Sequence, residues 1–146
     1  MILSTTRFGA VRLESDDIFL FANGLIGIEE CRRWVLLADV NNDAVGWLQS
    51  ATHPAIALAV VSPRRFVPDY KVRLSAAQLA TLELDDLDQA FILNIVAKNK
   101  GRLTVNLKAP LLINLDRRIG RQVVTSDEQP LQHALSFEPV QLRKAA

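Results

Sequence analysis

Short apolar runs alternate with turn-forming residues along the whole chain. The runs are about 4–8 residues long, and Gly, Pro, Asn or Asp interrupts them about every 8–12 residues, which is typical of an all-β sandwich or barrel. The predicted strands are Phe8–Leu13, Ile18–Phe21, Trp34–Ala38, Gly46–Ser50, Ile56–Val61, Tyr70–Leu74, Ala90–Ala97, Leu103–Ala109, Leu111–Leu115 and Arg121–Thr125. We therefore predict a mainly β fold.

Three of these strands are apolar almost throughout, namely Trp34–Ala38, Ile56–Val61 and Phe91–Ala97. Strands of this kind are buried on both faces or lie in the middle of a sheet, so we expect these three to be central. Lys98–Arg102 is predicted to be a hairpin loop, because Gly101 near its tip tolerates the positive φ angles of tight turns.

One short helix is predicted over roughly Ala76–Glu83. Ser75 precedes it, and Gln78 lies three residues further on, which is the spacing of a capping box. A one-turn helix near Gly27–Arg33 is a second, weaker candidate. The predicted fold thus carries one or two short helices.

The composition indicates a single folded domain over residues 1–146. Hydrophobic residues make up 49% of the chain and charged residues 23%, which excludes a disordered protein. Lys and Arg total 17, and Asp and Glu total 16, so the net charge is +1. A dedicated nucleic-acid binder usually carries an excess of basic residues. We therefore expect no direct nucleic-acid binding, although Arg64–Arg65 and Arg117–Arg118 are local basic groups.

The single cysteine, Cys31, excludes an internal disulfide and fits a reducing cytosol. The N-terminus has no basic segment followed by a long apolar one, so it does not resemble a signal peptide. The longest apolar runs, such as Ile56–Val61, are far shorter than the ~20 residues that a membrane span needs. We therefore expect a cytoplasmic protein that does not contact a membrane.

Few residues could carry catalysis. His53, His133 and Cys31 are a poor metal set, because zinc sites use four protein ligands or three with an open position. No histidine lies near Cys31 in the sequence to activate its thiol. The acidic residues within Asp85–Asp88 could act as general acid and base, but no pocket pattern surrounds them. We interpret these features as surface histidines, a buried thiol and a solvated loop, and we predict no metal, no cofactor and no enzymatic activity.

The segment Thr104–Pro110 shows the strictest alternation of apolar and polar residues. The residues expected to face the core are Leu103, Val105, Leu107 and Ala109, and those expected to face outward are Thr104, Asn106 and Lys108. A half-buried strand has this pattern, and Pro110 should mark a bulge, corner or edge. Its outer face is either simply solvated or presented to a partner, and periodicity does not separate the two.

Thr104–Pro110, followed by Ile113–Asn114, resembles the FliW family of flagellar assembly factors. Further stretches agree with that family in order and spacing, namely Arg7–Gly9, Phe21–Gly27, Trp47–Ser50, Pro63, Phe66–Tyr70 and Gly120–Gln122. The resemblance covers roughly residues 5 to 125. The chain departs from the family at Ala22, where Pro is usual, at Ile28, where an aromatic is usual, and after Thr125.

The resemblance implies a compact, antiparallel β-barrel-like domain with a core of about residues 2–126 and a divergent, flexible segment over 127–146. It implies two protein partners, flagellin and the RNA-binding translational regulator CsrA, whose repression of flagellin mRNA the protein would antagonise. The alternative is a flagellin export chaperone without a CsrA role. We expect the free protein to be a monomer, and a sheet edge or an apolar groove could receive a partner.

The residues that the resemblance suggests for partner binding are Phe21, Asn23, Pro68, Asp69, Tyr70, Asn106, Lys108 and Asn114. Each also has a structural alternative. Phe21 could be a core residue, and Asn23 and Pro68–Asp69 could simply form turns. Tyr70 could pack with its hydroxyl at the surface, and Asn114 could form hydrogen bonds that hold the Pro110 corner. A further hypothesis is that the carboxylates of Glu14, Asp16, Asp17 and Asp69 complement the basic charge of CsrA.

Overall fold

The computed structural model describes residues 1–135 of the chain. The strands, β1 to β11 in chain order, are Ile2–Thr5, Gly9–Arg12, Ile18–Phe21, Arg33–Ala38, Val45–Ser50, Ala57–Val61, Phe91–Asn99, Arg102–Val105, Leu111–Asn114, Ile119–Gln122 and His133–Ala134. The α-helix, α1, spans Ala76–Thr81, and short 3-10 helices span Ser15–Asp17, Pro63–Arg65 and Leu87–Gln89. No helix within residues 1–135 has the length and apolar character needed to cross a membrane.

Seven strands close into a barrel, in the order β7-β6-β5-β4-β3-β10-β9, and β9 pairs back onto β7. This confirms the predicted barrel-like fold. The pairs are antiparallel except β10 and β3, which run parallel through Ile119↔Leu20 and Gly120↔Phe21. β7 leaves the barrel in its second half, where it pairs with β8, and β8 pairs with β11. β1 and β2 form a separate hairpin.

Most of the predicted elements are present. Trp34–Ala38, Ile56–Val61 and Phe91–Ala97 fall on β4, β6 and β7, and each of these strands has neighbours on both sides, as expected of central strands. The hairpin loop is confirmed, with φ angles of 51° at Lys100 and 78° at Gly101. The capping box at α1 is also confirmed.

The segment Tyr70–Leu74 is not a strand, although its burial alternates. It runs over the outside of the barrel, and no strand within residues 1–135 pairs with it. The backbone N–H of Arg73 instead donates to a side-chain hydroxyl, Oγ1 of Thr125, at 3.4 Å. The predicted helix near Gly27–Arg33 is replaced by turns around an isolated bridge between Leu25 and Ile28. Both predictions were therefore wrong.

The predicted strand Leu103–Ala109 ends at Val105. The Oδ1 atom of Asn106 accepts hydrogen bonds from the backbone N–H groups of Lys108 and Ala109, both at 3.0 Å, and this local bonding turns the chain out of the sheet. Thr104 is buried rather than outward-facing. The strictly alternating segment is therefore a strand only as far as Val105 and a turn after it.

Two hydrophobic cores share the barrel wall. Inside the barrel lie Phe19, Phe21, Trp34, Leu48, Val60, Leu93, Leu111 and Ile113. Outside it, beneath the segment of residues 62–90, lie Val61, Tyr70, Val72, Leu82, Ile92, Val105, Leu107, Leu112 and Val123. β6, β7 and β9 contribute to both cores, because successive side chains point to opposite faces. This explains why their sequences are apolar without alternation.

Of the predicted C-terminal segment 127–146, residues 127–135 continue the fold. The carbonyl oxygen of Pro130 accepts a hydrogen bond from the N–H of Leu107 at 3.0 Å, and His133–Ala134 forms β11. Residues 136–146 lie outside the described part of the chain.

Candidate functional site

Phe21 belongs to the barrel core. Its side chain is 0% exposed, and its ring lies directly against Gly120. A Cβ atom added at Gly120 would lie 2.4 Å from Cζ of Phe21, so only glycine leaves room for the ring. Phe21 therefore offers no surface to a partner in this fold, and the core alternative describes it correctly.

Asn23 is exposed in the tight turn that follows β3. The N–H of Gly24 donates to the carbonyl of Phe21 at 2.8 Å, and Gly24 has a φ angle of 63°. A side chain at Gly24 would also collide with the backbone of Glu29, whose oxygen would lie 2.3 Å from the added Cβ. The neighbouring glycine is thus required by the turn, while Asn23 itself faces solvent.

Asn114 is 6% exposed and joins two distant pieces of chain. Its Nδ2 donates to the carbonyl of Leu82 at 2.9 Å, just after α1. Its Oδ1 accepts from the N–H groups of Asp116 and Arg117 at 3.1 and 3.2 Å. Asn114 thus forms internal hydrogen bonds, as the structural alternative held, but they tie the end of α1 to the turn between β9 and β10 and not the Pro110 corner.

Tyr70 is the centre of a buried hydrogen-bond network. It is 2% exposed, and its hydroxyl donates to the carbonyl of Leu107 and accepts from Nδ2 of Asn94 at 3.2 Å. The same Nδ2 donates to the carbonyl of Asn106 at 2.8 Å. Burial raises the pKa of the Tyr70 phenol, because the charged form would lose its hydration. The hydroxyl therefore lies inside the protein and not at the surface, where one alternative placed it.

Lys108 is half-buried and holds the loop that follows β10. Its Nζ donates to the carbonyl of Asp127 at 2.8 Å. The carboxylate of Asp127 in turn forms an ion pair with Arg73, 2.9 Å from Nε to Oδ1. Lys108 therefore connects the turn after β8 to the segment around Asp127, and Oδ1 of Asn106 holds that turn.

Asp69 lines a groove of ≈ 440 Å³ on the outside of the barrel, which we call the Asp69 groove. Its lining residues are Arg64, Asp69, Lys71, Val72, Arg73, Leu87, Asp127 and Gln129. Pro68 is exposed next to it in a turn, in which the N–H of Tyr70 donates to the carbonyl of Val67 at 3.0 Å. The structure thus brings Pro68 and Asp69 to one surface, and Lys108 is linked to that surface because it donates to the carbonyl of Asp127, which lines the groove. Phe21, Asn23 and Asn114 lie elsewhere.

Cys31 and His53 are neighbours in space, which the sequence did not reveal. Sγ of Cys31 lies 3.4 Å from Nδ1 of His53, and that nitrogen also lies 3.0 Å from Oγ1 of Thr52. Cys31 is fully buried, as interpreted, so a substrate cannot reach its sulfur in this fold. Within residues 1–135 no three His, Cys, Asp or Glu side chains are grouped to hold a metal ion.

The acidic residues after α1 lie in an exposed loop, as interpreted. The Oδ1 atom of Asp86 accepts a hydrogen bond from the N–H of Asp88 at 2.8 Å, which begins the 3-10 helix Leu87–Gln89. These carboxylates therefore shape a surface turn.

Comparison with known proteins gives a consistent result. The family model described as FliW protein matches residues 2–135. A flagellar assembly factor FliW of Bdellovibrio bacteriovorus is 41% identical over 129 residues, which is 87% of this chain and 74% of that protein. Another, from Clostridium botulinum, is 32% identical over 141 residues, or 94% of this chain and 99% of that protein. A crystal structure of the flagellar assembly factor FliW superposes with a TM-score of 0.81 at 25% identity, over 92% of this chain and 95% of the other.

Proposed function

The chain belongs to the FliW family of flagellar assembly factors. From this membership we propose that it is a non-enzymatic, cytoplasmic protein that binds flagellin and the translational regulator CsrA. The observation that carries the proposal is the family match across residues 2–135, which includes the barrel and the segment that covers it.

The proposed mechanism is an exchange of partners. While flagellin is abundant inside the cell, it is bound to this protein. When flagellin is exported, the freed protein binds CsrA and relieves its repression of flagellin mRNA. The exchange requires that binding of one partner excludes the other, so that bound flagellin lowers the concentration of protein that is free to bind CsrA.

The acidic residues near Ser15–Asp17 are candidates for contact with CsrA. Glu14, Asp16 and Asp17 are all exposed, and the Oδ2 atom of Asp17 accepts from the N–H of Glu14 at 2.8 Å. Asp69 is a weaker candidate, because Arg64, Lys71 and Arg73 line the same groove and outweigh its charge and that of Asp127. Complementary charge mainly increases association rate and specificity.

Calorimetric titration of the purified full chain with its own flagellin and its own CsrA tests the proposal. We expect saturable binding of both, together with release of CsrA from flagellin leader RNA in a mobility-shift assay. Binding of flagellin alone would favour the chaperone alternative, and binding of neither would contradict the proposal. Reversal of charge at Asp16 and Asp17 should slow association with CsrA, with reversal at Asp85 and Asp86 as the matched control.

A further inference from the structure

One end of the barrel is open, and we call it the barrel mouth. Two adjoining cavities of ≈ 390 and ≈ 280 Å³ lie there and share Leu36 and Leu37 at the end of β4. Their apolar lining residues include Phe19, Val60, Phe91, Leu93 and Leu115. The opposite end of the barrel interior is filled by Leu25, Ile28 and Ile56.

A glycine on β5 keeps part of the mouth open. Gly46 pairs with Ala38 and Val60 and lines the larger cavity. A Cβ atom at Gly46 would lie 3.4 Å from Cδ1 of Leu36 and 3.4 Å from Cγ2 of Val60, so a methyl group would just contact both walls. A larger side chain at this position would therefore occupy the cavity.

Three arginines surround this apolar opening. Arg65 lies at the larger cavity, 3.7 Å from a carboxylate oxygen of Asp43. Arg12 and Arg118 line the smaller cavity together with Asp17, and neither arginine forms an ion pair with any residue from 1 to 135. The mouth is therefore apolar at its centre, and at the smaller cavity the two arginines outnumber the single carboxylate, that of Asp17.

Arg118 is held over the mouth at an energetic cost to its backbone. Its φ angle is 56°, in the left-handed region that disfavours residues other than glycine. Its guanidinium carbon lies 4.9 Å from the ring centroid of Phe19, a cation–π arrangement. Strained backbone is retained preferentially at functional sites.

We propose that the barrel mouth docks an acidic segment of a partner protein, with an apolar side chain of that segment inserted between Leu36, Gly46 and Phe91. The cavity would receive the apolar side chain, and Arg12 and Arg118 would pair with carboxylates that flank it. Leu36, Leu37 and Phe91 are only half-buried, so the mouth is shallow. A shallow opening suits a side chain presented by a protein better than a small molecule, which pockets usually enclose.

This inference deepens the proposed function and rests on it, because it assigns a surface to a protein partner. Its test uses the full chain, labelled with ¹⁵N, in NMR titrations with a hexapeptide in which phenylalanine and leucine are flanked by glutamates. We expect saturable shifts at the amides of Leu36, Gly46 and Phe91. The same peptide with lysines in place of the glutamates should give none. Shifts that are absent from the mouth, or equal for the two peptides, overturn the inference.

Variants and a second probe complete the test. Arg118→Gln should weaken acidic-peptide binding about tenfold, whereas Arg102→Gln, on the β7–β8 hairpin, should leave it unchanged. Arg118→Gly should weaken binding while raising the urea midpoint, because it relieves the left-handed backbone. Unchanged affinity of Arg118→Gln for the acidic peptide overturns the inference. The second probe is octanoate, and if octanoate saturates the mouth while the acidic peptide does not, the inference is likewise overturned. Failure of the proposed function is distinguished from these outcomes, because in that case the wild-type protein binds neither flagellin nor CsrA.

Discussion

Replacement of Tyr70 by phenylalanine tests whether this residue serves the fold. The change removes the hydroxyl that donates to the carbonyl of Leu107 and leaves the buried ring in place. No other group within residues 1–135 donates to that carbonyl. Asn94 keeps its bond to the carbonyl of Asn106 at 2.8 Å, but the carbonyl of Leu107 and the second N–H of the Asn94 amide are left unpaired. Leaving a buried group unpaired costs about 1–3 kcal/mol, and we expect the free energy of unfolding to fall by at least about 2 kcal/mol.

Urea denaturation followed by tryptophan fluorescence measures this loss, since Trp34 is 0% exposed inside the barrel. For a chain of this size, a loss of about 2 kcal/mol lowers Tm by roughly 4–8 °C. A double-mutant cycle with Asn94→Ala should show a coupling of about 0.5–3 kcal/mol, because the two side chains share a hydrogen bond. An unchanged denaturation midpoint in Tyr70→Phe would refute the reasoning.

The same variant makes a prediction about alkaline pH. Burial raises the pKa of Tyr70 above its ordinary value of 10.0. The folded state therefore favours the neutral phenol, and this contribution to stability is complete below pH 10.0 and is lost as the pH rises through the folded-state pKa. Between pH 10.0 and the folded-state pKa, wild type should therefore lose more stability than Tyr70→Phe does. Parallel alkaline profiles of the two proteins would contradict the assignment.

Three further perturbations test the fold around the candidate surfaces. Gly120→Ala would place a methyl group 2.4 Å from Cζ of Phe21, and we expect urea denaturation to show a loss of roughly 1–3 kcal/mol. Asn106→Ala removes the acceptor of two backbone N–H groups and should cost about 1–2 kcal/mol by the same measurement, whereas Asn106→Asp retains both bonds and should cost less. The hydrogen bond from Nε1 of Trp47 lowers the pKa of Asp39 below 3.8, so a fluorescence titration should show a midpoint below that value. Asp39→Asn should lack this midpoint, and a midpoint above 3.8 in wild type would argue against the bond.

Local patterns predicted the elements whose determinants are close together in the sequence. Ile18–Phe21 was predicted as a strand and is β3 with the same bounds. The pair Ser75 and Gln78 forms both bonds of its capping box, and the loop at Gly101 has the expected positive φ angles. Each of these features depends on contacts between residues only a few positions apart, which the sequence displays directly.

The same reasoning failed where an extended segment needs a partner from elsewhere. Tyr70–Leu74 alternates as a strand does, but in the described part of the chain no strand pairs with it to complete a ladder. Residue type also did not separate interior from surface. Phe21, Tyr70 and Asn114 were candidates for partner binding, and all three are buried by residues distant in the chain.

The sequence by itself determined a mainly β fold, its turns, its capped helix and its resemblance to a family. Only the tertiary structure decided that β9 closes the barrel on β7 and that Arg12, Arg65 and Arg118 surround the opening at the barrel mouth. The physical reason is distance. Strand pairing, burial on two faces and the field of several charges depend on separations in space between residues far apart in sequence, and a pattern of neighbouring residues does not record those separations.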